Sequence, residues 1–245
     1  MTGATNTLYI LPKSLYSNVG VLLLWEKGVQ DKYTLTAVDL EGNEHNRPDF
    51  VRLNPAGKVP VLVHDGQVIP DSLSIAQFLD QDGSLRAHDP EVVSFVEEWR
   101  QISVKALVLA EQPVDEKALA AHAEKIAADR AEMVAYQQQH PDLDYALRLS
   151  LFDLRAQWLL DPVVFHRHQQ SWYAVLDHCE TVLSSGSPYL VGNTHSLADV
   201  FATAFIWSGN RHLAHPETIF AGRPHLQQYY DRQSKRPAVI HALFE

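Results

Sequence analysis

The strongest constraint on the fold of this 245-residue chain is a change of hydrophobic pattern near residue 88. Before it, short apolar runs alternate with amphipathic segments, which predicts the order β-α-β-α-β-β-α. After it, apolar residues recur at helical spacing, beginning with the stripe from Val92 to Trp99. The pattern therefore predicts an α/β N-terminal domain over residues 1–82, a polar linker at Gln81–Pro90 and an all-α C-terminal domain over residues 90–245.

The first third of the chain has clear element boundaries. Its predicted strands are Leu8–Leu11, Tyr33–Val38, Val61–Val63 and Gln67–Ile69, and its predicted helices are Val19–Lys27, Asp49–Leu53 and Ser72–Leu79. Asp65-Gly66 between the last two strands is typical of a tight hairpin, because these residues tolerate the positive φ angles of such turns. In the second part, helices are predicted over residues 116–138 and 143–160, and Ser196 with Asp199 forms a capping box before another helix.

Composition narrows the class of protein. With 46% hydrophobic and 20% charged residues, the chain is of ordinary globular composition, and its net charge of −10 argues against nucleic-acid and anionic-membrane partners. A single cysteine excludes an internal disulfide framework. The first ten residues lack a basic-then-apolar leader, and no run of apolar residues is long enough to span a bilayer, so we expect a cytoplasmic protein.

The segment that leads into the third predicted strand carries the most chemical information. Pro60 directly precedes that strand, and proline normally lies only at a strand's start or edge. With the cis Val59-Pro60 bond that we predict, the backbone of Val59 can bind an extended peptide as an added strand. A simple turn is the alternative for an isolated Val-Pro pair. Lys58, Asp71 and the amides that open the helix at Ser72 favour binding, because they offer complementary charge to a short peptide with charged ends.

Two serines lie in the loop between the first strand and the first helix, where α/β sheets bind ligands. A hydroxyl beside a helix N-terminus can donate to a thiolate, and we assign this role to Ser14. For Ser17 two roles stay open, donation to the thiolate and capping of the helix, and Asn18 is also placed to cap the helix. One donor is strong enough: lowering a thiol pKa by two units requires about 2.7 kcal/mol, and a hydrogen bond to a charged group supplies about 1.5–3 kcal/mol.

The sequence contains no metal-binding motif and no motif for another nucleophile that would favour a different activity. The chain has thirteen histidines, but the closest pairs, His166 with His168 and His212 with His215, have no neighbouring zinc-ligand set, so we expect no metal. Cys179 lies on an apolar helical stripe and is expected to be buried and inert. Dinucleotide, nucleotide and serine-hydrolase motifs are absent from the sequence.

Taken in order, these residues resemble the cytosolic glutathione transferase family over essentially the whole chain. The resemblance rests on the Ser14 loop, Asn54-Pro55 with Val59-Pro60, Asp71-Ser72, the box Ser196-Leu197-Ala198-Asp199 and a closing Arg236-Pro237-Ala238-Val239. It implies a thioredoxin-like N-terminal domain, an all-helical C-terminal domain, glutathione as co-substrate and a homodimer. The helices that begin near Ser72 and Val92 also favour a dimer, because their apolar faces exceed what one small domain needs.

The resemblance implies roles for residues near the thiol. Ser14 matches the serine that activates the glutathione thiol, and Ser17 matches a second polar position in the same loop. Val59 matches the residue whose backbone pairs with the cysteinyl part of glutathione, before a cis Pro60.

Four further positions match residues that bind the charged ends of glutathione. Lys58 and His45 match positions that reach the glycyl carboxylate. Asp71 and Ser72 match the acidic residue and serine that hold the γ-glutamyl end, with Asp71 one methylene shorter than the common Glu.

The C-terminal domain is longer than the compact family pattern, through the segment 137–170. In this it is similar to bacterial reductive dehalogenase-type transferases and to the ganglioside-induced differentiation-associated branch. The first loop holds no cysteine such as the dehalogenase-type enzymes use, which argues against thiol-exchange chemistry. Bacterial β-etherase-type transferases share the Ser-Leu-Ala-Asp box, so glutathione-dependent cleavage of an aryl ether stays open.

The expected activity is therefore detoxification-type transfer, in which a Ser14-stabilised glutathione thiolate attacks an electrophilic carbon of a small apolar substrate. The alternatives are a non-catalytic binding module on the same fold and a glutathione-dependent isomerase. The electrophile pocket is expected between the first loop and the C-terminal domain, although core packing is the alternative for its aromatic residues. Its predicted lining residues are Leu11, Pro12, Leu15, Tyr16, Trp99, Ser103, Leu107, Trp207 and Arg211.

Overall fold

The computed structural model describes residues 6–12, 14–111, 116–159 and 161–244. The order of elements predicted for the N-terminal part is confirmed. Its strands are β1 (Thr7–Ile10), β2 (Thr34–Ala37), β3 (Val61–His64) and β4 (Gln67–Pro70), and its helices are α1 (Leu15–Glu26), α2 (Pro48–Leu53) and α3 (Ser72–Leu79).

The four strands form one mixed sheet in the order β2-β1-β3-β4. β1 is parallel to β2, with Thr7 opposite Thr34, and antiparallel to β3, with Leu8 opposite Leu62. The hairpin between β3 and β4 turns at Asp65 and Gly66, whose φ angles of 48° and 83° are both positive. A turn with two positive φ angles favours Asp-Gly, and the twist of such a turn matches the twist of the flanking strands.

Helix α1 begins earlier than the sequence predicted. We placed its start at Val19, but the helix begins at Leu15, with Ser14 as the residue that precedes it. Leu15, Val19, Leu22 and Leu23 are buried on its inner face. The earlier start places Ser14 at the N-terminus of the helix and Ser17 inside the first turn.

The rest of the described chain is helical, which confirms the predicted fold class of a thioredoxin-like α/β domain followed by an all-α part. The limits of the two domains remain the prediction made from the sequence. The helices are α4 (Pro90–Arg100), α5 (Val104–Ala110), α6 (Glu116–Gln139), α7 (Tyr145–Leu159), α8 (Pro162–Ser184), α9 (Leu197–His212), α10 (Pro224–Gln233) and α11 (Pro237–Val239), which a π-helical turn continues to Phe244. Within the described ranges, no helix is both long and apolar enough to cross a membrane.

The long segment 137–170 forms the end of α6, helix α7 and the start of α8; its residue 160 lies outside the described residues. It packs against the N-terminal part rather than extending away from it. Val51 of α2 forms a small buried cluster with Met133, Tyr145 and Leu149, and the Tyr145 hydroxyl donates to the carbonyl of Asn46 at 2.9 Å. The extension thereby covers one end of the sheet domain.

The predicted linker is ordered around a buried carboxylate. Asp80 accepts hydrogen bonds from Lys27 Nζ at 2.7 Å and from the backbone amides of Leu85 and Ala87 at 3.0 and 2.9 Å. The amide of Leu197, at the start of α9, donates to the carbonyl of Leu85 at 2.8 Å. The linker therefore attaches α1 to α9 instead of separating them.

Helix α9 is the centre of the helical part, and the predicted capping box at its start is confirmed. The Asp199 carboxylate is fully buried and accepts from the Ser196 amide at 2.8 Å, the Leu190 amide at 3.1 Å and the Tyr229 hydroxyl at 2.7 Å. Burial raises the pKa of Asp199, and these donors oppose that rise. The network joins the loop before α9, the helix itself and α10.

We expect Asp199→Ala to destabilise the protein by about 3–5 kcal/mol, because it leaves several buried donors without an acceptor. Tyr229→Phe removes one donor and leaves the carboxylate its other partners, so a loss of about 1–2 kcal/mol is expected. Urea unfolding followed by circular dichroism measures both. Equal losses in the two variants would contradict the assignment of Asp199 as the hub of the network.

Candidate functional site

Ser14 lies where β1 leads into α1, and its hydroxyl is not used to cap the helix. Its backbone is extended (φ −73°, ψ 135°), its amide donates to the carbonyl of Leu11 at 3.0 Å, and its carbonyl accepts from the Asn18 amide at 2.8 Å. The backbone is thus held in the position that precedes a helix, while the side chain forms no capping hydrogen bond. Among the described residues no hydrogen bond engages this half-buried hydroxyl, which lies beside the positive end of a twelve-residue helix and can donate to an anion.

Ser17 differs from Ser14 in both burial and bonding. It is 1% exposed, and its Oγ accepts a hydrogen bond from the backbone amide of Leu11 at 3.0 Å. This bond ties the end of β1 to the first turn of α1 and shapes the loop that carries Ser14. The geometry therefore favours Ser14 over Ser17 as the residue that faces a ligand.

Tyr16 connects the first loop to the helical part. Its hydroxyl lies 3.3 Å from the carbonyl of Arg100 and 3.5 Å from that of Ile102, and its ring packs edge-on against Phe205 at 5.6 Å between centroids. Burial raises the pKa of Tyr16 to about 12. Because the Tyr16 hydroxyl donates to these backbone carbonyls, it is engaged within the protein.

The predicted cis peptide bond between Val59 and Pro60 is confirmed. β3 begins after it, at Val61, and the carbonyl of Pro60 accepts from the Asp71 amide at 3.2 Å. Among the described residues, neither the amide nor the carbonyl of Val59 forms a backbone hydrogen bond. Val59 therefore offers one donor and one acceptor to an extended ligand, as expected from the sequence.

Asp71 occupies a strained backbone conformation directly before α3. Its φ is +62°, a region that favours glycine. Its carboxylate accepts from the amides of Leu73 and Ser74 at 2.8 and 3.2 Å, and it lies 3.6 Å from the Arg100 guanidinium. Ser72, the first residue of the helix, is buried. Non-glycine strain of this kind persists only where surrounding contacts impose it, and it is concentrated at ligand sites.

Arg100 is a site residue that the sequence analysis missed. It ends α4, and its side chain reaches both Asp71 at 3.6 Å and Glu97 at 3.4 Å. No local motif marks it, because its partner is 29 residues earlier in the chain. It brings a cation from the helical part to the acidic residue before α3.

Lys58 lies in the loop that leads to Val59, and His45 lies in the short 3-10 turn Glu44–Asn46 before α2. Asn54 shapes the loop of Lys58: its Nδ2 donates to the carbonyl of Lys58 at 2.7 Å, and its Oδ1 accepts from the Ala56 amide at 3.1 Å. Burial, followed by repulsion from Arg155, lowers the pKa of Lys58. Burial, with repulsion from nearby arginines, lowers the pKa of His45 to about 4, so this imidazole is neutral at physiological pH.

Several residues predicted to line the electrophile pocket are packed in the core instead. Trp99 is fully buried, with its ring 5.7 Å from that of Trp172 and 5.2 Å from that of Phe205, so its assignment to the wall of an open pocket is wrong. Leu15 and Leu107 are buried in the same core at 6% and 2% exposure, which corrects their assignment too. Helical spacing alone does not separate a core stripe from a pocket wall.

The remaining predicted pocket residues keep some exposure. Leu11 is half-buried and Pro12 exposed beside Ser14, and half-buried Ser103 caps α5 through its Oγ, which accepts from the Ala106 amide at 3.3 Å. On α9, Trp207 and Arg211 form a cation–π pair at 5.5 Å. Trp207 is buried against Phe244, and no described contact joins this pair to the first loop.

Within the described part of the chain, no three His, Cys, Asp or Glu side chains are grouped as a metal site requires. The burial predicted for Cys179 is confirmed, and that burial raises the pKa of its thiol well above its usual value. The groups available for chemistry are therefore the hydroxyl of Ser14, the backbone of Val59 and the cations Lys58 and Arg100.

The chain matches two family models, the N-terminal domain of glutathione S-transferases over residues 13–82 and the C-terminal domain of glutathione S-transferases over residues 165–237. It is similar to glutathione S-transferase TCHQD of Arabidopsis thaliana, with 29% identity over 94% of this chain and 86% of that protein. Two solved structures share the fold: β-etherase LigF from Sphingobium sp. strain SYK-6 and Gtt2 from Saccharomyces cerevisiae. The TM-score to LigF is 0.69 at 22% sequence identity, and the match covers 98% of both chains. The TM-score to Gtt2 is 0.68 at 20% sequence identity, and the match covers 97% of this chain and 100% of the other.

We expect Tyr16→Phe to leave the ionisation of bound glutathione unchanged, because the hydroxyl is turned toward backbone carbonyls of the helical part. The variant should lose about 0.5–1.5 kcal/mol of stability with those hydrogen bonds. Thiolate absorbance of bound glutathione against pH, with thermal unfolding in parallel, checks both points. A raised thiol pKa in this variant would instead identify Tyr16 as a donor to the thiolate.

Proposed function

Because the chain belongs to the glutathione S-transferase family and is a glutathione S-transferase enzyme, we propose that Ser14 activates the glutathione thiol for attack on an electrophilic carbon. The observation that carries the proposal is the contrast within the first loop. The Ser14 hydroxyl forms no capping bond at the start of α1, whereas Ser17 and Tyr16 are engaged within the protein.

The proposed position of glutathione follows from the polar groups at the start of α3, at Val59 and at Lys58. Its γ-glutamyl end lies at the start of α3, where the Asp71 carboxylate faces the ammonium and the Ser72 amide, which has no acceptor among the described residues, faces the carboxylate. Its cysteinyl backbone pairs with the free amide and carbonyl of Val59. Its glycyl carboxylate lies toward Lys58 and His45.

The reaction proposed is a substitution. The thiolate, stabilised by the Ser14 hydroxyl, forms a carbon–sulfur bond as the leaving group departs with the electron pair of the bond that breaks. No oxidant or reductant is needed, and the first loop holds no second thiol to exchange with a mixed disulfide. Leu11 and Pro12 beside Ser14 offer apolar contact to the body of the substrate.

Cleavage of an aryl ether is a second candidate for the same machinery. Its support is the likeness to β-etherase LigF, both in fold and in a stretch of 72 residues with 36% identity. In that reaction the leaving group is a phenolate, which takes a proton from water after the carbon–sulfur bond has formed. Release of a phenol from a model aryl ether, compared with halide release from an aryl chloride, distinguishes the two candidates.

We also propose a homodimer, which family membership supports. The apolar residues of α4, including Val92 and Phe95, are buried within the protomer, so that helix does not offer the surplus apolar face suggested by the sequence. Half-buried Leu73 and Phe78 on α3 remain available for a partner.

We expect Ser14→Ala to lower kcat/KM by a factor of roughly ten to a few hundred, the equivalent of losing about 1.5–3 kcal/mol of charged hydrogen bonding. The pH–rate profile should shift to higher pH, because the bound thiol loses the donor that favours its ionised form. Glutathione affinity should change less, and Ser14→Thr, which keeps a hydroxyl, should restore most of the rate.

Ser17→Ala serves as the comparison. It leaves the Leu11 amide without its acceptor and should lower stability by about 1–3 kcal/mol, with no shift of the pH profile. If instead Ser17→Ala shifts the profile and Ser14→Ala does not, the thiol donor is Ser17. If the wild-type protein binds glutathione but turns over no broad electrophile, the non-catalytic binding module is the better interpretation.

The dimer is checked by light scattering at micromolar concentration, where we expect twice the protomer mass of 27.6 kDa. A Leu73→Glu, Phe78→Glu variant should shift the mass toward the monomer, because it places charge on the proposed apolar face. A wild-type mass equal to one protomer would rule the dimer out at that concentration.

A further inference from the structure

One face of helix α7 packs against the sheet domain. Its residues recur at helical spacing: Tyr145, Arg148, Leu149 and Phe152. Tyr145 and Leu149 are buried in one apolar cluster with Val51 of α2, and half-buried Phe152 packs against that cluster. Arg148 is the charged residue of this face, yet it is only 5% exposed. An arginine thus lies buried where the two parts of the protein meet.

Fixed contacts hold the Arg148 side chain. Its Nε and Nη2 donate to Oδ1 of Asn46 at 3.0 and 2.6 Å, and its guanidinium lies 5.6 Å from the centre of the Phe152 ring. Among the described residues, no carboxylate lies within ion-pair distance of it. A buried charge without a counterion lowers stability, so stability alone does not account for an arginine at this position.

The first loop that α7 holds is the short turn Glu44–Asn46, which carries His45. Asn46 is fully buried, and α7 binds it at two points. Arg148 donates to its side-chain oxygen, and the Tyr145 hydroxyl donates to its main-chain carbonyl at 2.9 Å. Because both the side chain and the backbone of Asn46 are fixed, the backbone of the preceding His45 has little freedom.

The second loop runs over residues 54–58 and ends at Lys58. In it, Gly57 has a φ of +59°, a region that favours glycine, and a Cβ there would lie 2.2 Å from Nε of Arg148. The Arg148 side chain therefore packs directly on the backbone of this loop, and only glycine leaves room for it. Asn54 holds the loop from within, because its Nδ2 donates to the carbonyl of Lys58 at 2.7 Å.

A single side chain of the helical part thus contacts both loops that the proposed function assigns to the glycyl carboxylate of glutathione. His45 directly precedes Asn46, and Lys58 directly follows Gly57, so each assigned residue is one position from a contact of Arg148. Ligand-binding groups are sensitive to such support, because a shift of about 1 Å in a positioned group can reduce activity a hundredfold.

We propose that Arg148 is a positioning residue for glutathione, which joins the loops of His45 and Lys58 so that both residues face the glycyl carboxylate. The α6–α7 extension thereby determines how well the enzyme recognises that end of the peptide. Arg148 itself forms no contact with glutathione in this arrangement. The inference rests on the proposed function and deepens its account of glutathione binding.

The test compares glutathione with glutathione amide, in which a carboxamide of the same shape replaces the glycyl carboxylate. Calorimetry on the full chain gives both dissociation constants, and their ratio measures recognition of the glycyl charge. We expect wild-type protein to bind the acid about tenfold to a hundredfold more tightly, and Arg148→Ala to lower this preference about fivefold to tenfold. Arg148→Lys, which keeps a donor for Asn46, should retain a large part of it.

Two further measurements separate positioning from direct contact. In a Lys58→Ala background, Arg148→Ala should lower the preference by a smaller factor than in the wild type, because one of the positioned groups is already missing. An equal factor in both backgrounds means that Arg148 binds the carboxylate itself, which overturns the positioning role. Turnover at saturating glutathione should change little in Arg148→Ala, because the Ser14 loop keeps its contacts.

Arg130→Ala is the matched control for Arg148→Ala. Arg130 is an exposed arginine of α6 that donates to Asp153 of α7 from Nε at 2.7 Å and from Nη2 at 2.9 Å. Its removal loosens the same extension without touching either loop, so the preference for the acid should not change. An equal fall in Arg130→Ala and Arg148→Ala assigns the effect to loosening of the extension and overturns the inference.

A pair of tyrosine variants tests the inference without a change of charge, and it decides the inference if Arg148→Ala does not fold. Tyr145→Phe removes the hydrogen bond to the carbonyl of Asn46 and should lower the preference about twofold to fivefold. Tyr136→Phe is its control: this ring lies 6.1 Å from that of Tyr145, but its hydroxyl donates to Glu132 within α6 at 2.7 Å. An equal fall in both variants overturns the inference. Where Arg148→Ala does not fold, so does an unchanged preference in Tyr145→Phe.

Failure of the inference and failure of the proposed function are distinguishable. An unchanged preference in folded Arg148→Ala overturns the inference and leaves thiol activation by Ser14 intact. Equal binding of the acid and the amide by wild-type protein means that the glycyl end does not lie at Lys58 and His45, which overturns the inference as well. Failure of the proposed function appears instead as a kcat/KM that Ser14→Ala does not change, and the binding ratios still decide the role of Arg148.

Discussion

A single buried carboxylate fixes the helix on which the rest of the structure is assembled. Asp199 has no solvent to stabilise its charge, and its position is tolerable only because the Ser196 amide, the Leu190 amide and the Tyr229 hydroxyl all point at it. These bonds set the start of α9, whose first thirteen residues are buried. A helix buried on all sides leaves its neighbours little freedom, so α1, α4 and α5 take their positions from it.

The placement of the candidate site follows from that packing. Phe205 of α9 receives the ring of Tyr16, and the Tyr16 hydroxyl meets the backbone at the end of α4, so the first loop is attached to two helices of the other part. Arg100, at the end of α4, meets Asp71 before α3. Ser17 then holds the loop to β1 from within. With its neighbours held in this way, Ser14 is left as a hydroxyl with a fixed backbone and an uncommitted side chain, which is what preorganised stabilisation of a thiolate requires.

Local rules predicted the sheet domain well, because its features are encoded by adjacent residues. The Asp65-Gly66 turn, the cis Val59-Pro60 bond and the start of α3 each depend on a few neighbouring positions. The helical part was harder to read in detail. Trp99 has the spacing of a pocket wall, yet Trp172 and Phe205, both more than 70 residues away, enclose it in the core. Arg100 and Arg148 were missed for the same reason, since their partners Asp71 and Asn46 are distant in sequence and no motif relates them.

The same long-range assembly brings two cations together, because Arg148 of α7 lies against the loop that carries Lys58. Several cations of the protein are paired with carboxylates, as exposed Arg130 is with Asp153 and buried Arg223 is with Asp177. Such pairs cancel at a distance and are screened by salt, so they contribute little to the field far from the surface. Within the described residues, Lys58, Arg148 and Arg155 form no ion pair, and burial lowers the pKa of each. Folding together elements that repel one another lowers stability, and the α6–α7 extension supplies compensating contacts by burying Met133, Tyr145 and Leu149 against α2. The extension therefore does more than lengthen the helical part: its apolar face anchors α7, and that anchoring holds Arg148 against Asn46 and against the loop that carries Lys58.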